Sequence, residues 1–221
     1  RTIEKQIAVT MDFKDRDVFA IARSEAASVI TVMSVRGGFL TGTRHYSFAE
    51  TISTREEMMA AFVRQFYERH PSVPGELLVS IDLADAELTA DWLTNFKKKK
   101  VNILRPQRGE KMQLITLACH NAENELKNII ASRSAEMDLL LRLQAKLKTA
   151  KVPERIECFD NSNIQGSNPV AACVVFRDGK PAKKEYRHFN IKTVTGPDDF
   201  ASMTEVVFRR YRRLVEEGES L

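Results

Sequence analysis

Residues 155–191, RIECFDNSNIQGSNPVAACVVFRDGKPAKKEYRHFNI, carry the clearest structural pattern in the chain. Three runs rich in β-branched and aromatic residues, Arg155 to Asp160, Val170 to Arg177 and Lys184 to Ile191, are separated by residues typical of turns. Asp178-Gly179-Lys180 lies between the second and third runs. This pattern predicts three consecutive antiparallel strands.

An amphipathic helix is predicted directly after these strands. Gly196-Pro197 stands where a helix cap and first turn belong. Apolar or aromatic residues then recur at helical spacing. They are Phe200, Met203, Val207 and Tyr211.

The first part of the chain repeats this order. Runs at Asp17–Arg23, Ser28–Val35 and Phe39–Phe48 predict three strands, with Arg36-Gly37-Gly38 as the second turn. Arg44-His45-Tyr46 then corresponds to Arg187-His188-Phe189. Ser53-Thr54-Arg55-Glu56 has the spacing of a capping box and predicts the following helix. The chain therefore contains an internal repeat.

The first copy continues beyond the point where the second stops. We predict a strand at Glu76–Asp82, a helix at Asp85–Phe96, a strand at Val101–Leu104 and a long helical region from Lys111 to Leu147. Three antiparallel strands, helix, strand, helix, strand and helix is the element order of the ribonuclease H-like fold. We expect an α/β (α+β) protein with mixed sheets, organised as a tandem of such domains with a truncated second copy.

This order predicts three segments. Residues 1–9 would be a leader from a preceding region, 10–148 a complete domain with long C-terminal helices, and 152–221 the N-terminal half of a second domain. Because the chain starts with Arg1, we interpret it as a fragment of a longer protein.

Composition excludes several classes of protein. The chain has 221 residues, 43% hydrophobic and 29% charged, with a net charge of +4. This balance is globular, and no apolar run approaches a membrane span, so we expect a soluble intracellular protein. Neither of the nucleotide-binding patterns GxxxxGK[ST] and GxGxxG occurs, so the sequence does not indicate a kinase or a dehydrogenase. Three cysteines without a CxxC pair, which we expect as buried thiols, do not indicate a zinc site or disulfides.

Two acidic positions are candidates for chemistry. Asp160 ends an apolar strand, where a carboxylate could join others in holding Mg²⁺ or Mn²⁺ for phosphate chemistry, although turn aspartates are also common. Asp198 and Asp199 begin the helix predicted in the second copy. A favourable interaction with the helix dipole is an alternative explanation for acidic residues at this place.

Basic residues surround these positions and could contact phosphates without reading sequence. A solvated surface remains the alternative. The candidates are Lys183, Lys184, Arg187, Arg209, Arg210, Arg212 and Arg213. His45 and His188 are interpreted as strand-packing or surface residues, and His120 as part of a surface set.

Residues 155–166, RIECFDNSNIQG, closely resemble the nuclease region of the UvrC family of excision nucleases. The likeness extends through Val170–Phe176 (VAACVVF), Tyr186–Phe189 (YRHF) and Gly196–Met203 (GPDDFASM) and spans nearly all of residues 153–217. The preceding part resembles the more variable middle region of the same family.

The resemblance implies a DNA endonuclease of bacterial nucleotide excision repair. With UvrA and UvrB the family nicks damaged DNA on both sides of a lesion, and its ribonuclease H-like domain uses divalent metal for the 5′ incision. Asp160 matches the first catalytic aspartate and metal ligand, and Asp199 an acidic position implicated in the same incision. The family usually has Ile and His where this chain has Asn161 and Asn163. A cytoplasmic location is expected.

The first copy is expected to be catalytically inactive and to support the second. Ala22 or Arg23 falls near the position of Asp160, and Asp82 alone, at the end of the fourth strand, cannot assemble a two-metal site. The fragment by itself is also expected to be inactive. Two alternatives remain: a non-catalytic scaffold that binds DNA or UvrB, and an unrelated junction nuclease with the same fold.

Overall fold

The structure, a computed structural model, describes residues 9–49, 52–164, 167–194, 196, 198–216 and 218, without the side chains of 163–169. Most of the leader predicted at 1–9, residues 1–8, lies outside this range. The chain forms two compact units, Arg1–Ala131 and Ser132–Leu221. The division falls inside a helix, whereas the sequence placed the domain boundary at 148–152.

The first unit contains a five-stranded mixed sheet in the order β3-β2-β1-β4-β5. The first three strands are antiparallel, while β4 pairs parallel with β1 and β5 parallel with β4. The elements are β1 (Arg16–Arg23), β2 (Ala27–Arg36), β3 (Phe39–Ala49), α1 (Arg55–Arg69), β4 (Glu76–Val79), α2 (Ala86–Lys97), β5 (Asn102–Leu104) and α3 (Gly109–Leu147). This is the predicted element order and sheet arrangement.

The β2–β3 hairpin turns at two glycines. Gly37 and Gly38 have φ of +55° and +82°, which side-chain-bearing residues rarely adopt. A Cβ on Gly38 would also lie 2.6 Å from the carbonyl oxygen of Thr10. Position 38 therefore needs glycine for both conformation and space, whereas at position 37 glycine only suits the positive φ, which Asp178 also adopts in the second copy.

Both faces of the first sheet are buried by helices. On one face, Phe19 of β1 packs edge-on against Phe66 and Tyr67 of α1. On the other, Val18 and Ala20 belong to a buried cluster that includes Ala118 of α3. Alternation along β1 sends successive side chains to these two faces, and this produces the three-layer arrangement.

The capping box that begins α1 lies one residue later than predicted. Thr54 is the capping residue: its hydroxyl accepts from the Glu57 N–H at 3.2 Å, and Glu57 accepts from the Thr54 N–H at 2.9 Å. The prediction from Ser53 and Glu56 was wrong because two adjacent glutamates allow either spacing.

The second unit has a smaller sheet built on a long hairpin. Its elements are β6 (Arg155–Ile164), β7 (Ser167–Arg177), β8 (Lys180–Pro181), β9 (Arg187–Asn190) and α4 (Asp199–Glu216). β7 pairs antiparallel with β6, β8 and β9. At the β7–β8 turn Gly179 has φ of +80°, and a Cβ there would lie 3.6 Å from the Glu136 Cβ of α3. Lys180 also pairs with Glu136 at 3.0 Å.

The third strand of the second copy is shorter than predicted: β9 covers Arg187–Asn190 of the predicted Lys184–Ile191, and the short strand β8 precedes it. Pro181 has no N–H to extend the ladder, and Lys183–Glu185 form a 3-10 turn. Pairing resumes at Arg187 with Cys173, three residues out of the earlier register.

The hairpin registers align the two copies residue by residue. Arg36 and Arg177 each precede the tight turn and are therefore equivalent positions. Counting back the same number of residues along each strand aligns Thr31 with Ala172. In the first copy Thr31 pairs with Ala20 and with His45. In the second copy Ala172 pairs with Asp160 and with His188. Ala20 is therefore the counterpart of Asp160, which corrects the predicted Ala22 or Arg23.

Candidate active site

Asp160 lies in β6 with an exposed side chain. Its odd-numbered neighbours contact α4: Glu157 pairs with Arg210 at 2.9 Å, and the Phe159 ring lies 6.4 Å from that of Tyr211. Because side chains alternate along a strand, Asp160 belongs to the opposite face. Among the described strands, β6 pairs only with β7, so its other edge is open.

Asp199 is the first residue of α4 and is exposed. The helix cap is provided by Asp198, whose carboxylate accepts from the Ala201 N–H at 2.9 Å. Gly196 precedes it, and the predicted role of Pro197 lies outside the described residues. Capping therefore accounts for Asp198, while Asp199 retains only the general dipole interaction of a first-turn carboxylate.

Both aspartates line one cavity. Its volume is about 310 Å³, and its walls are Asp160, Asn161, Asp199, Phe200 and Met203. Phe200 is 90% exposed at its rim. Residues 160 and 199, far apart in sequence, thus line the same cavity, while the Asp160 side chain lies on the face of β6 away from α4.

Asn161 joins the strand to the helix at this cavity. Its Nδ2 donates to the Asp199 carbonyl oxygen at 3.0 Å, whereas its Oδ1 is buried without a hydrogen-bond partner. Sequence reasoning noted Asn161 only as a departure from the family pattern. The alternation of β6 could have placed its side chain on the α4 face.

The cavity has the kinds of ligands that suit Mg²⁺ or Mn²⁺. Two carboxylates and an amide oxygen without a donor are hard oxygen groups. Within the described ranges, no three His, Cys, Asp or Glu side chains gather as a metal centre. The residues present fit a metal-binding site that has two carboxylates from this chain. The side chain of Asn163, at the family's usual His position, lies outside the described set.

The structure does not support the predicted DNA-binding role of Arg210. Its side chain is 6% exposed and pairs with the 4%-exposed Glu157. Burial by itself raises the pKa of Glu157, but hydrogen bonds from Arg210 and Arg155 outweigh that effect and hold the pKa below its usual value. Arg210 therefore belongs to the packing of α4 on β6 and not to a phosphate-binding surface.

The other predicted basic residues remain at the surface. Arg209 is half-buried and donates to Glu205 and to the Asn190 carbonyl oxygen, both at 2.8 Å. Arg212 is exposed and pairs with Glu216 on the same helix. The remaining residues of the set are exposed, namely Lys183, Lys184, Arg187 and Arg213.

The first unit lacks these carboxylates at the matching positions. Ala20 is fully buried, and Arg55 is the first residue after the α1 cap, as Asp199 is after Asp198. Asp82 follows β4, is exposed and pairs with Arg105. The two units thus differ at both candidate positions.

The histidines and cysteines do not form a reactive group within the described ranges. His45 is exposed on β3 and lies 2.9 Å from the Thr31 hydroxyl, while His188 is exposed on β9 and His120 contacts Asn124 on the surface of α3. All three cysteines are free. Cys158 is exposed, so the expectation that every thiol is buried was wrong. It lies on the same open face of β6 as Asp160.

No helix in the described ranges is long and apolar enough to span a membrane.

Comparisons with known proteins connect the chain to one family. The model of the UvrC ribonuclease H-like domain matches residues 15–129, and that of the UvrC RNase H endonuclease domain matches residues 144–221. Human ENDOV has a TM-score of 0.27 and 12% identity, covering 47% of this chain and 55% of its own, a likeness too weak to bear on the fold.

Two similar proteins from bacteria share the same name. The UvrABC system protein C of Desulfatibacillum aliphaticivorans is 48% identical over 95% of this chain and 35% of its own length. That of Caldanaerobacter subterraneus is 39% identical over 99% of this chain and 36% of its own length. The chain thus spans about a third of these relatives. It belongs to the UvrC family and covers the ribonuclease H-like region of that family.

Proposed function

We propose that this chain is part of the UvrC component of the UvrABC excision nuclease and contributes to the 5′ incision beside DNA lesions. The observation that carries this proposal is the shared cavity of Asp160 and Asp199 at the open edge of β6. Family membership supports a metal-dependent endonuclease as the activity of the full protein.

Asp160 and Asp199 would hold Mg²⁺ or Mn²⁺ in this cavity. The metal would supply a polarised water and charge stabilisation for the hydrolysis of a phosphodiester bond. The protein's contribution is to hold two carboxylates on separate elements, one on β6 and one on α4. Such preorganised charge is the main source of rate enhancement in phosphoryl transfer.

DNA would bind mainly through its backbone. Exposed cations on the 3-10 turn, β9 and α4 would contact phosphates, and Phe200 at the cavity rim could stack on an unpaired base. These cations are Lys183, Lys184, Arg187, Arg212 and Arg213. Arg209 would contribute charge while it supports the 190–194 segment.

Damaged DNA and UvrB are the proposed partners, with UvrA acting earlier in the pathway, in the bacterial cytoplasm. The first unit is proposed to be non-catalytic, because Ala20 and Arg55 stand where the second unit has Asp160 and Asp199. The 221-residue chain alone is proposed not to nick, since its described cavity has only two carboxylates.

The test is nicking of a lesion-containing duplex by the full-length protein with UvrA, UvrB and Mg²⁺. We expect Asp160→Ala to abolish the 5′ incision and Asp199→Ala to reduce it strongly. Asp138→Ala, which removes an exposed carboxylate from α3, is the matched control and should cut normally. The nuclease proposal fails if 5′ incision by Asp160→Ala equals that of the wild type.

A non-catalytic scaffold would give a different result. In that case the chain would bind DNA in a salt-sensitive manner, and 5′ incision would not depend on either aspartate. Measuring affinity and nicking on the same variants separates the two functions.

A further inference from the structure

Asn161 joins the two elements of the proposed metal site at the cavity itself. It lies in β6 next to Asp160 and donates through Nδ2 to the main-chain oxygen of Asp199 at 3.0 Å. This bond crosses from strand to helix over 38 positions of sequence. It fixes the first residue of α4 against the strand that carries Asp160.

The other half of the amide is not satisfied by the protein. Oδ1 of Asn161 is buried and accepts no hydrogen bond from any described group. A buried acceptor without a donor destabilises the folded protein. Unsatisfied groups of this kind are uncommon in native proteins and call for an explanation, such as a missing water or ion.

The adjoining cavity can supply the missing donor. Asn161 lines it together with Asp160 and Asp199. A divalent cation held by few protein ligands, Mg²⁺ above all, keeps several waters, and metal-bound waters are strong donors. Because Oδ1 has almost no solvent-accessible surface, an ordinary cavity water does not satisfy it, and it gains a donor only if the amide turns toward a hydrated cation bound there.

From this geometry we infer that Asn161 is a positioning residue of the metal site. Its Nδ2 holds Asp199 beside Asp160, and its Oδ1 accepts from a water in the hydration shell of the cation. The inference rests on the function proposed above and adds a residue that binds the metal indirectly. Groups in such outer positions typically change metal affinity by about 10–100-fold.

Leucine is nearly isosteric with asparagine and separates this role from a merely structural one. Leucine removes the orphan Oδ1, which is stabilising, together with the Nδ2 bond to the Asp199 carbonyl oxygen, which water can replace because that bond is solvent-exposed. We therefore expect Asn161→Leu to leave Tm nearly unchanged while weakening Mn²⁺ binding by about 10-fold. A structural role alone would lower Tm and leave the affinity of the folded protein unchanged.

The experiment is a Mn²⁺ titration of the 221-residue chain, followed by electron paramagnetic resonance, with thermal unfolding measured on the same samples. The variants are Asn161→Leu, Asn161→Ala, Asp160→Asn and Asp199→Asn. Asn190→Leu, at an exposed position in β9, is the matched control. The alanine variant provides the same test if leucine does not pack.

The outcomes separate this inference from the function on which it rests. Weaker binding in both aspartate variants and in the folded Asn161 variants, with Asn190→Leu unchanged, supports both. If the aspartate variants lose Mn²⁺ while the Asn161 variants bind normally, Asn161 is not a positioning residue and the proposed site stands. If neither aspartate affects binding, the proposed metal site itself is wrong.

Discussion

Ala20 occupies in the first unit the strand position that Asp160 occupies in the second. Ala20 is fully buried in the cluster that includes Ala118 of α3, whereas Asp160 is exposed beside an open cavity. The same strand position is thus part of the core in the first copy and accessible in the part of the second copy that this chain covers. Packing by α3 leaves no room for a solvated carboxylate at Ala20.

A carboxylate at position 20 is expected to destabilise the first unit and not to restore a metal site. Ala20→Asp should lower the free energy of unfolding by about 3–5 kcal/mol, because it buries a charge without a partner. The matched change Asp160→Ala, at an exposed site, should stay within about 0.5 kcal/mol. Urea denaturation measures both, and a fully stable Ala20→Asp protein that binds Mn²⁺ would contradict the assignment.

In both copies a tyrosine on the first helix lies close to a carboxylate on the first strand. Tyr67 donates to Asp17 at 2.6 Å, and desolvation together with the nearby Glu157 carboxylate raises the pKa of Tyr211. Both tyrosines stand thirteen positions after their caps, from 54 to 67 and from 198 to 211. Burial and the nearby Asp17 raise the pKa of Tyr67 well above its ordinary value, so the hydroxyl remains a donor at neutral pH.

Tyr67→Phe should therefore cost about 1.5–3 kcal/mol of unfolding free energy, the range for a hydrogen bond to a charged group. Tyr67 is fully buried and bonded to Asp17, while Tyr211 is 36% exposed, so water can reach the hydroxyl position at the second site. We expect Tyr211→Phe to cost less than about 1 kcal/mol. Equal losses in urea denaturation would show that burial does not distinguish the two pairs.

The fold could be predicted from the sequence wherever periodicity and turn chemistry agree, as in the β2–β3 hairpin and α1. Errors arose where two local readings were equally good: both Ser53–Glu56 and Thr54–Glu57 fit a capping box, and only the backbone geometry selects Thr54. The break near Pro181 had a signal, since proline cannot extend a ladder, but the compensating 3-10 turn depends on tertiary pairing.

The site was predictable in part. Asp160 and Asp199 could be named from sequence, but their shared cavity required the approach of α4 to the edge of β6. Arg210 could have been excluded, because its helical spacing matches that of the buried Ser202, Val206 and Leu214. The role of Asn161 depends on one hydrogen bond across 38 residues, and no local pattern contains it.

Arg210 and Arg212 are expected to separate stability from DNA binding. Arg210→Ala should cost about 1.5–3 kcal/mol, since it removes one of the two guanidinium partners of buried Glu157 and leaves Arg155. Arg212→Ala, in an exposed pair, should cost less than about 1 kcal/mol. In DNA-binding titrations over a range of salt, Arg212→Ala should reduce the log–log slope by about 0.9, whereas folded Arg210→Ala should retain it. The reverse pattern would restore Arg210 to the DNA-binding surface.

Glu205 is expected to make the second unit sensitive to acid. Desolvation by itself raises the pKa of Glu205, but hydrogen bonds from the Thr193 hydroxyl at 2.6 Å, from the Thr193 and Lys192 N–H groups and from Arg209 lower it to about 2, against an ordinary value of 4.5. A carboxyl with a depressed folded-state pKa contributes stability that is complete above the unfolded value. That stability is lost as the pH falls through the folded value.

The stability of the second unit should therefore decline between about pH 4.5 and pH 2 through this group. Glu205→Gln should be less stable than the wild type at pH 7, and the difference should shrink steadily over that interval, because the protonated wild type and the amide are both neutral. Urea denaturation of both proteins at several pH values measures the difference, and Glu216→Gln, at an exposed position on the same helix, is the matched control. A difference that stays constant from pH 7 to pH 2 would mean that Glu205 acts through its shape and not through its charge.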